Sequence, residues 1–92
     1  MPEALHLARL AQSSPERALT LPGGAVRILS LTKAQDGGTD ACWFVCLNGT
    51  LLLDLPHGDF VTLRAGEAYR TEAGVARRLT PVGQVTVLLT DA

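Results

Sequence analysis

The chain predicts an all-β domain, a small barrel or sandwich, and three features carry that expectation. Apolar, β-prone runs recur from Trp43 onward: Trp43 to Leu47, Leu51 to Leu55, Phe60 to Leu63, Ala68 to Glu72, Val75 to Thr80 and Val85 to Thr90. Turn-compatible residues separate them: Asn48-Gly49, Pro56-His57-Gly58-Asp59, Ala65-Gly66, Ala73-Gly74 and Pro81-Val82-Gly83. Hydrophobic residues make up 47% of the 92 residues but aromatics only 4%, so the core is built from Leu, Val and Ala, which suit small packed strands.

Ahead of this meander, Pro2 to Gln12 suits a short helix, with Glu3 in its first turn and Leu7, Leu10 and Ala11 close to one face. Ser13-Ser14-Pro15 breaks it. Ala18 to Leu21 then reads as an edge strand stopped by Pro22-Gly23-Gly24. Ala25 to Thr32 alternates as a strand, with Val26, Ile28 and Ser30 on one face and Leu29 and Leu31 on the other, and Lys33 to Asp40 is a polar loop. The expected organisation is one domain over 1–92, with 1–24 as a cover segment and 25–92 as the barrel core. In the Cys42–Leu47 strand both alternating faces are apolar: Cys42, Phe44 and Cys46 on one side, Trp43, Val45 and Leu47 on the other. A small barrel has only one inside, so the second stripe calls for a cover, and a homodimer with the helix as accessory cover is the expectation.

Eight basic residues against nine acidic ones give a formal charge of −1, with no surplus positive field to attract phosphate backbones. Nucleic acid is therefore not an expected partner. The first residues carry neither a basic leader nor an unbroken apolar stretch, and no run approaches membrane-spanning length, so a soluble, cytoplasmic protein without a membrane partner is expected. Cys42 and Cys46, four apart on a strand, would have Cα atoms roughly 13 Å apart at about 3.3 Å per residue, too far for a bridge. Without neighbouring Cys or His they make a poor zinc site and read as small buried hydrophobes. His57 falls in a turn and His6 in the N-terminal segment, neither beside a partner, and Gly23-Gly24 and Gly37-Gly38 are turn pairs rather than phosphate loops.

The meander resembles the cupin superfamily, small barrels of jelly-roll type. Val45-Cys46-Leu47-Asn48-Gly49-Thr50-Leu51 is similar to the "V-L-x-G-x-x" that ends the first cupin motif. Val61-Thr62-Leu63-Arg64-Ala65-Gly66-Glu67 is similar to "x-L-x-x-G-D", and Glu72-Ala73-Gly74-Val75-Ala76-Arg77-Arg78-Leu79 to "P-A-G-x-x-H-x-x". The resemblance covers about half of the chain, and it implies a cupin-like jelly-roll barrel or sandwich.

In cupins, three histidines and a glutamate in these motifs bind a divalent metal. Carried over with Gly49 as the last glycine of the first motif, the resemblance puts Cys42 at the glutamate position and the histidine pair on Asp36 and Gly38, or on Gln35 and Gly37. In the second motif Gly66 and Gly74 match, whereas Glu72 replaces the proline, Arg77 the histidine and Pro81 the asparagine. A guanidinium is permanently cationic and has no acceptor, so it repels a divalent ion. No metal and no cofactor are expected, although a site made by Asp36, Cys42 and solvent is the residual metal-bound alternative.

An inward-pointing Arg77 needs an anionic partner, because an unpaired buried charge costs several kcal/mol. Asp36, Asp40, Glu67 and Glu72 are the internal candidates. The external one is a small carboxylate, phosphate or other anion, with Arg70 or Arg78 assisting and Tyr69 offering its hydroxyl. The residues expected to line such an interior are Arg77, Cys42, Phe44, Cys46, Asp36 and Tyr69. Three function classes follow: a metal-free binding module for a small, possibly anionic molecule, an oxygenase, isomerase or lyase with unusual ligands or no metal, and an accessory dimer with a filled barrel. The expectation is non-catalytic, small-molecule binding or accessory, since only Tyr69 has the residue type for metal-free acid–base work.

Overall fold

The computed structural model describes residues 4–92. Helix α1 (Leu7–Gln12) is followed by strands β1 (Leu19–Thr20), β2 (Val26–Leu31), β3 (Gln35–Asp36), β4 (Cys42–Asp54), β5 (Phe60–Arg64), β6 (Ala68–Thr71) and β7 (Arg78–Asp91). The expected helix from Pro2 begins later, at Leu7, and Pro2 and Glu3 lie outside the described residues. His6 caps it, its Nδ1 accepting the Arg9 N–H at 3.2 Å.

Two long strands form the frame. β4 and β7 pair antiparallel from Cys42 opposite Asp91 to Asp54 opposite Arg78. Toward Cys42 this ribbon is flanked by β6 on β4 and β2 on β7, with β1 on the edge of β2. Toward Asp54 it is flanked by β5 on β4 and β3 on β7. We call these the Cys42 sheet and the Leu53 sheet. They share one apolar core, in which Phe44, Cys46, Leu29 and Val87 meet Leu51, Leu53, Leu63 and Leu79.

The sequence reading split both long strands, and the structure corrects this. Asn48-Gly49 is not a hairpin turn but an irregularity inside β4, where the register to β7 shifts twice between Cys46 and Thr50. Asn48 Oδ1 accepts the Thr86 N–H at 3.0 Å, standing in for a ladder bond. Gly49 has φ +78°, and a Cβ there would fall on Gln84 O and lie 3.1 Å from Val85 Cγ2. An Asn-Gly pair that elsewhere would close a hairpin therefore makes a β-bulge, which lets each half of the strand take its own neighbours. The bulge also reverses the alternation: Cys42, Phe44 and Cys46 are buried before it, Leu51 and Leu53 after it. Pro81-Val82-Gly83 likewise lies within β7, where Pro81, opposite Leu51, sits next to the irregular stretch that tolerates its missing N–H. Val75 to Ala76 is loop rather than strand.

Outside β2, α1 packs with Ala11 fully buried, and Ile28 and Ser30 are buried on that side of the strand. Outside β4 the cover is thinner. Trp43 remains 40% exposed, with Val45 and Leu47 half-buried.

Candidate functional site

The two connections that cross between the sheets run side by side. One, residues 37–41, leads from β3 in the Leu53 sheet to β4 in the Cys42 sheet; the other, residues 72–77, leads from β6 back to β7. Gly74 N–H donates to Thr39 O at 2.7 Å and Gly37 N–H to Arg77 O at 2.9 Å, tying them together. Arg77, the last residue before β7, turns inward and is only 4% exposed. Its Nη1 donates to Asp40 O at 2.6 Å and its Nη2 to Glu72 O at 3.0 Å, so it bonds to both crossings. The guanidinium carbon lies 5.8 Å from the centroid of the Phe44 ring, within cation–π range. Gly37 gives the side chain its passage, since a Cβ there would stand 2.5 Å from Arg77 Cγ.

An internal carboxylate partner for Arg77 was one expectation, and the structure does not provide it. Asp40 and Glu72 contribute main-chain carbonyls instead. Among the described residues the ion pairs are Arg27 with Asp91 at 3.7 Å and Arg70 with Glu72 at 2.7 Å. Arg77 Nε is buried without any acceptor. The expected helpers are elsewhere: Arg70 is opposite Trp43 on the outer side and held by Glu72, and Arg78 is exposed opposite Asp54 and Asp36.

Cys42, Phe44 and Cys46 line the inside of β4, and Tyr69, directly opposite Phe44 on β6, packs half-buried against the core. Asp36 does not join them. It is exposed on β3, with Oδ1 accepting the Gly38 N–H at 2.9 Å, a local turn contact that keeps its carboxylate out of the barrel. Burial pushes both thiols up from their usual range; at Cys42 the charges of Arg27 and Arg77 pull the other way without reversing it. Such thiols are held protonated, with Cys42 Sγ donating to Trp43 O at 3.3 Å.

Three further residues border this end of the barrel, Thr71 buried and Arg27 and Asp91 on the exposed rim. Arg27, Leu89, Phe44 and Tyr69 lie in one row across β2, β7, β4 and β6, and Asp91, Cys42 and Thr71 form the next. Thr71 Oγ1 donates to Cys42 O at 3.1 Å. Arg27 was missed although its position shares the inward phase of Leu29 and Leu31, which was the available signal. Asp91 and Thr71 carried none, since their placement depends on register.

A divalent cation does not fit this donor set. No three His, Cys, Asp or Glu side chains converge among the described residues, and two guanidinium groups stand beside the protonated Cys42 thiol. Leu, Val, Phe and Cys side chains form one contiguous cluster in the interior. Two open hollows stand out, one of about 360 Å³ lined by Asp54, Leu55, Pro56, Ala76, Arg77 and Arg78, and one of about 310 Å³ beside Leu5, His6 and Leu10 of the N-terminal segment.

No family model matches the sequence and no curated protein matches it. Solved structures do match. A Neisseria meningitidis protein is 14% identical and covers 95% of this chain and 96% of its own, with a TM-score of 0.79. A cupin superfamily protein from Desulfitobacterium hafniense is 14% identical over 98% of this chain and 91% of its own, with a TM-score of 0.70. A cupin-2 domain protein from Shewanella frigidimarina is 17% identical over 79% and 74%, with a TM-score of 0.64. Likeness at such low identity speaks of backbone rather than chemistry. Together with the seven strands, the shared core and the bulged ribbon, it gives this chain the cupin fold.

Proposed function

We propose that this chain is a metal-free, non-catalytic cupin-fold domain of the cytoplasm that works as a homodimer and binds a small anion at Arg77. The carrying observation is that Arg77 is buried, permanently charged and held only by neutral main-chain carbonyls, with Nε left without an acceptor. Neutral acceptors satisfy a guanidinium's geometry but not its charge. A bound anion would supply the missing half. The same cation disfavours a metal in its neighbourhood.

Dimerisation is supported by the Trp43, Val45 and Leu47 side of β4, which α1 does not cover as it covers β2.

The test is the metal content of untagged protein purified without chelator, read by elemental mass spectrometry against chain concentration. The expected result is far less than one transition metal per chain. A stoichiometric metal that survives dialysis would overturn the reading and put oxygenase, isomerase or lyase chemistry in its place.

A further inference from the structure

The charges facing Cys42 do not cancel. Arg27 and Asp91 offset each other at 3.7 Å, and Arg77 adds one positive charge with no carboxylate beside it. The deficit at this end of the interior is therefore a single negative charge.

Hydrogen-bond capacity narrows the ligand further. A guanidinium has five N–H groups. One on Nη1 and one on Nη2 are engaged by Asp40 O and Glu72 O, and the Nε–H is free. Nε and an adjacent Nη hydrogen form a planar fork that matches the two oxygens of a carboxylate. A phosphate or sulfate would need further donors around it, and the buried hydroxyl and thiol nearest the fork are committed. Thr71 Oγ1 donates to Cys42 O and Cys42 Sγ donates to Trp43 O, while Arg27 stands at the exposed rim, 3.7 Å from Asp91. The surroundings beyond the fork are apolar, with the Phe44 ring under the guanidinium and Leu89 and Tyr69 in the same row.

Resting on the anion-binding reading, we propose that the ligand is a small monocarboxylate, its carboxylate on the Nε edge of Arg77 and its hydrocarbon part against Phe44 and Tyr69. Nε has no exposed surface, so the ligand enters by parting the two crossing segments, 37–41 and 72–77. Those are joined by few bonds: Gly74 N–H to Thr39 O, Gly37 N–H to Arg77 O, and Arg77 Nη1 to Asp40 O. Residues 38–40 and 72–74 are exposed, so a single thickness of chain separates the guanidinium from solvent. Binding and opening are coupled, and the Gly74 amide reports the opening.

The experiment titrates the full-length chain with acetate, propanoate and benzoate, and separately with phosphate and sulfate at matched ionic strength, following melting temperature and amide chemical shifts. Arg77→Met removes the fork, and Arg64→Met, on β5, is the charge-matched control. The expected result is a saturable rise in melting temperature with a monocarboxylate, unchanged in Arg64→Met and weakened at least tenfold in Arg77→Met. It is accompanied by saturable shifts of the Phe44 and Gly74 amides in the wild type. The shifts stand as the test on their own where Arg77→Met does not fold: saturable shifts confined to the Arg77 surroundings support the proposal, and shifts only elsewhere overturn it. Saturation by phosphate or sulfate in place of every carboxylate overturns the monocarboxylate class while leaving an anion site at Arg77 standing. No saturable response to any of the five anions overturns the class and the anion-binding reading together.

Discussion

The Leu53 sheet and the Cys42 sheet are made from the same two strands, yet their inner surfaces differ in kind. Leu51, Leu53, Leu63 and Leu79 give the first a hydrocarbon surface with no polar atom in need of a partner. The second carries Arg27, Cys42, Thr71 and Tyr69, and Arg77 is laid across it from the opposite sheet. Apolar burial stabilises wherever it occurs, whereas a buried cation without a counter-charge costs stability unless something else fixes it. Both sheets therefore hold the fold together, the Cys42 sheet through Phe44, Leu29, Val87 and their neighbours, but only the Cys42 sheet also has to tolerate an unfavourable term.

The sharpest way to break this comparison is to change one buried residue that faces each sheet. Leu53→Ala removes three carbons from a fully buried side chain and is expected to cost about 2–5 kcal/mol, read as a lower urea midpoint at unchanged slope. Arg77→Met replaces a charged head by a thioether of similar reach. It loses two hydrogen bonds to carbonyls and also removes the uncompensated charge, so the net change is expected to stay within about 1 kcal/mol. A loss at Arg77 equal to that at Leu53 would mean that the guanidinium is a structural clasp and not a tolerated charge.

The two sheets were unequally legible in the sequence. Alternation marked Cys42, Phe44 and Cys46 as facing one side, and recurring apolar runs between turn residues announced an all-β fold. Neither revealed that Asn48-Gly49 lies inside a strand, because the same dipeptide serves a hairpin turn or a bulge, and only the partner strands decide between them. Arg77 was marked by the motif it interrupts. Its true partners, Asp40 O and Glu72 O, were beyond reach, since any residue type has a carbonyl and the choice depends on how two loops pass each other. Asp36 erred in the opposite sense: its residue type suggested an inner carboxylate, but a nearby amide, Gly38 N–H, takes it up locally.

The outer faces repeat the contrast at lower stakes. α1 packs on β2, burying Ile28 and Ser30, while the Trp43 side of β4 stays partly open. If a second copy supplies the missing cover, Trp43→Glu places a charge in the middle of that interface, and the dimer is expected to dissociate at least a hundredfold more readily, about 2.7 kcal/mol. Sedimentation equilibrium checks it. A wild type that is monomeric at tens of micromolar, or a variant that dimerises equally well, would show that water is all that covers this face.

The smallest effect concerns the attachment of the N-terminal segment to β2. Glu16 accepts from both the N–H and the hydroxyl of Thr32 at 2.5 Å, just beyond the end of that strand. Burial pushes the carboxyl up, but the bonds from Thr32, with the Lys33 amide and charge, outweigh it and hold the carboxyl below its usual value of 4.5. A carboxyl lowered on folding binds its proton more tightly in the unfolded chain. Its contribution is therefore present above the unfolded value and is lost as the pH falls through the folded one. Glu16→Gln keeps an oxygen acceptor but removes the charge. At neutral pH it should lower stability by less than about 1 kcal/mol, because the site is open enough for solvent to screen it. The difference should shrink toward zero as the wild-type carboxyl protonates, so the two stability curves converge on the acid side. Parallel curves from pH 7 down to pH 3 would mean that the Glu16 charge contributes nothing and that the segment is held by Ala11 packing, the Glu16 N–H bond to Ser30 O and the β1–β2 pairing.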